Sequence, residues 1–75
     1  MLTIERNDKA ESVEIFCDDE GLDALLKQLH ILKSTGGHVH LMTPSWAGQD
    51  LTEKQQGDGT VLVNHLRIVL APHDR

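Results

Sequence analysis

The sequence predicts one α+β domain: a four-stranded sheet in ββαββ order with a single amphipathic helix packed on one face. Three observations lead there. Leu22, Leu25, Leu26, Leu29 and Leu32 recur at the 3, 4, 7 spacing of one helical face. Four other segments alternate apolar and polar residues with the period of a strand. The chain has 75 residues, enough for one domain over 1–75 but not for a large core.

Met1–Arg6 sets Leu2 and Ile4 against Thr3 and Glu5, and Asn7-Asp8-Lys9-Ala10 has the composition of a turn. Ser12–Cys17 alternates again, with Val13, Ile15 and Cys17 on one face and Glu14 and Phe16 on the other. The two segments predict a hairpin, and the parity of Cys17 predicts that it is buried. Asp18 or Asp19 can cap the helix that follows, and Glu20 suits the positive end of its dipole. Lys27 and Lys33 lie toward the negative end, and Gly36-Gly37 supplies the stop. The helix should span about Asp19 to Ser34.

His38–Thr43 is the third strand, with Val39 and Leu41 facing one way and His38, His40 and Met42 the other. Residues 43–59 contain Pro44, Gly48, Gly57 and Gly59 and no clear periodicity. A loop that long usually has a functional reason. Trp46 within it is expected to fold back as a lid over the core, with an exposed interface anchor as the other reading. Val61–Ala71 is the fourth strand, ended by Pro72. The helix covers one sheet face. The other should present Glu14, Phe16, His38, His40, Met42, His65, Arg67 and Val69 to solvent, a partner or a second copy.

Charge is uneven. Residues 1–23 sum to −6 and residues 24–75 to +1, giving the net −5. An acidic first third repels phosphate backbones, which argues against nucleic acid, and attracts basic surfaces. No apolar run approaches the roughly 20 residues of a membrane span. The single cysteine excludes an internal disulfide. With no leader-like segment at the start, it points to a reducing cytoplasm.

Catalytic and metal patterns are weak. His38-x-His40 places two imidazoles about 7 Å apart on one side of a strand, and His65 faces the same way. Three histidines with an open position could hold zinc, but the motif is short and no carboxylate second shell is evident. Solvated or interface histidines explain it as well. Cys17 beside Asp18-Asp19-Glu20 lacks the electropositive setting of a nucleophile. The carboxylates of Asp18, Asp19, Glu20 and Asp23 read as helix capping and surface charge, or as an acidic contact patch. Gly36-Gly37 and Gly57-Asp58-Gly59 are not phosphate loops, since neither joins a strand to a following helix. No cofactor is expected.

Three stretches carry a family resemblance. They are Glu20-Gly21-Leu22 opening the leucine-rich helix, the segment from His38-Val39-His40-Leu41-Met42 through Trp46-Ala47-Gly48-Gln49-Asp50-Leu51-Thr52, and Val63-Asn64-His65-Leu66-Arg67-Ile68. Together they resemble the small bacterial proteins grouped as immunity protein 32. Ala47-Gly48 departs from the paired glycine expected after the tryptophan. The resemblance implies a protein that binds and neutralises a toxin without catalysis, and it covers most of residues 12–71.

The expected function is therefore a binding module for a protein partner, such as a basic toxin domain. Asp18, Asp19, Glu20 and Asp23 would steer it, and Trp46, Asp50 and Glu53 would contact it. A homodimer joined through the open sheet face or an edge strand is the second reading, and a metal protein using His38, His40 and His65 the third.

Overall fold

A computed structural model describes residues 1–71. Pro72, the expected end of the last strand, lies outside them. The first two strands, β1 (Leu2–Asn7) and β2 (Ser12–Cys17), pair antiparallel over their full length, from Leu2 opposite Cys17 to Asn7 opposite Ser12. The turn between them is closed by the Asn7 side chain, which accepts from the Ala10 amide. This is the predicted hairpin.

Helix α1 (Asp19–Thr35) follows within one residue of its predicted limits. Asp18 is the N-cap, and its carboxylate accepts the Gly21 amide at 2.8 Å. Gly36, at φ 72°, ends the helix and donates to Leu32. The line of the helix that turns inward is Gly21, Leu25, Gln28 and Leu32, of which Gly21 and Leu32 are buried. Leu22, Leu26 and Leu29 form a neighbouring line and are 45%, 44% and 39% exposed. The predicted apolar face is real, but it is wider than the surface it packs on.

The remaining strands are β3 (His38–Met42), β4 (Val61–Val63) and β5 (His65–Val69). They correct the single four-stranded sheet. The predicted last strand is interrupted at Asn64. Before it, β4 pairs antiparallel with β1. After it, β5 pairs antiparallel with β3. The result is a three-stranded sheet in the order β2-β1-β4 and a two-stranded sheet β3-β5. Local hydrogen bonding gives the reason. Thr43 reaches Asn64 twice, through its amide to the Asn64 carbonyl and through its hydroxyl to Asn64 Oδ1 at 2.8 Å. Beyond β4, Thr52 takes the place of a strand beside Leu2, donating amide and hydroxyl to the Leu2 carbonyl.

The core is Leu2, Ile4, Leu32, Val39, Leu41 and Leu51, with Leu25, Val63, Leu66 and Ile68 packed against it. It draws on both sheets, the helix and the long loop, which delivers Leu51. On the other face of β1 lies a polar core. Glu5 is completely buried, and its carboxylate accepts from the Thr3 and Thr60 hydroxyls and the Gln56 and Gly57 amides. Burial alone would raise its pKa. The four hydrogen bonds outweigh that and hold it at about 2. Residues 56–60 are thereby fastened across β1.

Candidate partner-binding surfaces

The expected contact residues fall in two groups, one at the start of α1 and one on the loop after β3. Asp18, Asp19, Glu20 and Asp23 are all exposed at the start of α1. Asp18 is already engaged. The N-terminal ammonium at 2.7 Å, then the Gly21 amide, hold its carboxyl below the ordinary range. Its role is to close the helix onto β1. Among the described residues Asp19, Glu20 and Asp23 have no such partners, and they form the acidic surface proper.

The second group lies on the loop after β3. Pro44–Trp46 forms one turn of 3-10 helix, and Ala47 leaves it in the left-handed region at φ 63°. Gly48 follows, so close to the chain that a Cβ would sit 2.3 Å from the Met42 carbonyl oxygen. Glu53 accepts the Ser45 amide at 2.6 Å. This bond with Ser45 holds its carboxyl below the usual range. Glu53 thus ties the loop down beneath Trp46. Asp50 is half-buried beside the fully packed Leu51.

Trp46 is 55% exposed, which overturns the lid reading. Leu51 fills the core instead. The indole lies against the ring of His65, with centroids 5.7 Å apart. Beyond it the rings of His65 and His40 stack at 4.9 Å, and His38 meets His40 edge-on at 4.8 Å. The four rings form a continuous row across β3, β5 and the loop. The predicted polar face of β3 and β5 is therefore present, with His38 opposite Val69, His40 opposite Arg67 and Met42 opposite His65. Glu14 and Phe16, expected on the same face, belong to the other sheet.

His40 Nδ1 and His65 Nε2 lie 2.6 Å apart, within hydrogen-bond distance, with the tautomers setting which nitrogen donates. Among the described residues no group of three or more His, Cys, Asp or Glu is arranged to hold a metal ion. Partial burial, then the neighbouring His38, His65 and Arg67, push the His40 pKa down. Cys17 is exposed, against the expectation of burial. Its parity was read correctly, since it shares a face with Leu2 and Ile4, but β2 is an edge strand beyond the reach of the core. An open hollow of about 530 Å³ beside the β1–β2 turn is lined by Asn7, Lys9, Ala10, Asp58 and Gly59. It encloses nothing. No helix among the described residues is long and apolar enough to cross a membrane.

The family model described as immunity protein 32 matches residues 12–66, from the first residue of β2 to the second residue of β5. The chain belongs to the immunity protein 32 family. The match takes in the acidic helix start, the histidine strand and the whole tryptophan loop, so both surfaces lie within the family region. No curated protein and no solved structure matches the chain. Sequence reasoning missed two features of this family member. One is the stacking of Trp46 on His65, which needs the Asn64 break to bring β5 under the loop. The other is the burial of Glu5, which its place two residues after Thr3 hints at only weakly.

Proposed function

We propose that this chain is a non-catalytic bacterial immunity protein that acts in the cytoplasm by binding a cognate toxin and occluding it. Membership of the immunity protein 32 family over residues 12–66 is the observation that carries this reading. The surface supports it. Trp46 is the type of residue that anchors interfaces, and it is held exposed on a tied-down loop rather than on a floppy one. Asp19, Glu20 and Asp23 provide negative charge near the β2 end of the molecule, which would speed encounter with a basic toxin domain. Asp50 is half-buried on the same loop. Asp18 and Glu53 are assigned positioning roles instead, because their carboxylates already bind the protein's own chain.

Co-expression with the toxin-like product of an adjacent gene tests the proposal. Wild type should restore growth and co-purify with the toxin domain. Capture of no such product, together with no protection, would refute it.

A further inference from the structure

We propose that β2 pairs with β2 of a second copy, antiparallel and centred on Ile15, joining two three-stranded sheets into one of six strands. The inference uses the protein alone and stands independently of the toxin reading. Strand β2 is the outer strand of its sheet, and its far edge is unpaired among the described residues. Edge strands normally carry charge or another device that discourages pairing. The side chains on the core-facing side of this one are Val13, Ile15 and Cys17, all exposed, with Val13 at 64% and Ile15 at 50%. Leu22 extends the apolar surface. It is 45% exposed and follows Gly21, whose Cα packs on Cys17.

Hydrogen-bond parity and charge together select the register. The Asp18 amide bonds the Met1 carbonyl, while the amide and carbonyl of Leu2 turn the other way, to Thr52. Bonded pairs alternate along an antiparallel ladder, so Phe16 and Glu14 bond inward to Thr3 and Glu5. The backbone groups of Val13, Ile15 and Cys17 therefore point outward. A two-fold axis through Ile15 makes these the bonded positions: Ile15 faces its own copy and Val13 faces Cys17. The only charge within the strand, Glu14, then lies opposite Phe16. A two-fold on Glu14 also brings outward groups together, Val13 with Ile15, but sets the Glu14 carboxylate against itself, and one on Phe16 sets Glu14 against Asp18. Of these registers the one centred on Ile15 opposes no like charges over residues 12–18, and this self-complementarity commits the surface to a second copy. Arg6, exposed on this face opposite Val13, disfavours a basic toxin segment.

The interface is small beside the roughly 800 Å² per partner of standard complexes, so micromolar or weaker association is expected. Each copy carries −5, so added salt should tighten the dimer, whereas toxin capture steered by acidic residues should weaken with salt. Sedimentation from about 1 μM to about 1 mM, in about 0.5 M salt, should show the mass rise from 8.4 kDa toward twice that value. Ile15→Lys and Ile15→Glu should each stay monomeric, and an equimolar mixture should dimerise, because only this register places residue 15 against itself. Amide exchange on wild type gives a check free of mutation. Val13, Ile15 and Cys17 should slow about tenfold or more with concentration, while Glu14 and Phe16 do not change. A mass of 8.4 kDa throughout, dimers of either single variant, a mixture that stays monomeric, or amides indifferent to concentration would each overturn the proposal.

Discussion

The carboxylate of Glu5 and the hydroxyl of Thr60, 55 residues apart, meet at 2.6 Å inside the protein. This contact, with the Thr3 hydroxyl and the Gln56 and Gly57 amides, converts a strand charge into the clamp of the long loop. All four partners donate. Glutamine at position 5 would turn an N–H toward at least one of them, leaving donors facing donors in a buried site. Glu5→Gln is therefore expected to cost about 2–4 kcal/mol, and Thr60→Val about 1–3 kcal/mol. Urea unfolding monitored by circular dichroism measures both. Losses below about 0.5 kcal/mol would show that the clamp contributes little.

The same carboxylate sets an acid limit. Its pKa is about 2 in the folded protein against 4.5 when unfolded. A carboxyl with a depressed folded value adds stability above the unfolded pKa and loses it as pH falls toward the folded one. About 3 kcal/mol should thus vanish between pH 4.5 and about 2. His40 acts in a higher window. Its folded pKa lies below 6.5, so unfolding takes up protons first and stability starts to decline as pH drops below 6.5. Unfolding free energy measured from pH 8 to about 2 should fall in two stages. Glu5→Gln should shrink the lower stage, leaving the part that Asp18 and Glu53 contribute, and His40→Gln should remove the upper.

Why some of this was legible in the sequence and some was not follows from the range of the interactions. The hairpin, the helix and its caps depend on neighbours within a few residues, and Asp18 and Gly36 behave as their sequence context implies. The parities of His38, His40, His65 and Cys17 were also legible, because alternation is local. Exposure was not. Cys17 and Ile15 face the core side, yet they sit on an edge strand, and edge position is set by which strands pair. The break at Asn64 depends on Thr43, 21 residues away. Trp46 became exposed because Leu51 filled the core, a competition within one loop that no periodicity reveals. The five leucines of α1 do carry a signal of exposure: their arc is broader than a helix needs for one small sheet.

Gly21 illustrates two opposed effects of one substitution. Alanine in place of a helical glycine ordinarily gains about 0.5–1 kcal/mol. Here a Cβ would lie 1.7 Å from the Met1 carbonyl oxygen and 3.2 Å from the Cys17 Cβ. The obstacle is backbone that itself binds the Asp18 amide, so it has little room to move. The clash should win. Gly21→Ala is expected to destabilise by about 2 kcal/mol or more. Thermal unfolding would contradict this by showing an unchanged or raised midpoint.

Ala47 makes the opposite case. It occupies φ 63°, ψ 22°, a left-handed conformation that costs an L-residue with a Cβ about 1–2 kcal/mol. Glycine relieves that cost but adds about 0.4–1 kcal/mol of unfolded-state entropy. Ala47→Gly should therefore stabilise by about 0.5–1 kcal/mol, and the tryptophan turn should keep its shape. This substitution also restores the paired glycine that the family pattern leads one to expect after the tryptophan. A loss of stability on chemical denaturation would show that the alanine methyl makes a contact of its own.

Toxin binding should separate the two proposed surfaces by kinetics. Trp46 is exposed on a loop secured by the Ser45–Glu53 hydrogen bond, so truncating it leaves the fold alone. As a desolvated anchor it would hold the complex together, and Trp46→Ala should cost about 2 kcal/mol, almost all in a faster dissociation rate. Among the described residues the Asp19 and Asp23 carboxylates have no partners, and their charge acts before contact. The double change Asp19→Lys with Asp23→Lys should slow association and flatten its salt dependence, with dissociation little altered. Asp18 is left intact in this variant because it caps the helix. Surface plasmon resonance at several salt concentrations resolves the two cases. If Trp46→Ala leaves dissociation unchanged, the toxin does not bind the tryptophan loop. If charge reversal leaves association unchanged, the acidity at the helix start serves only solubility.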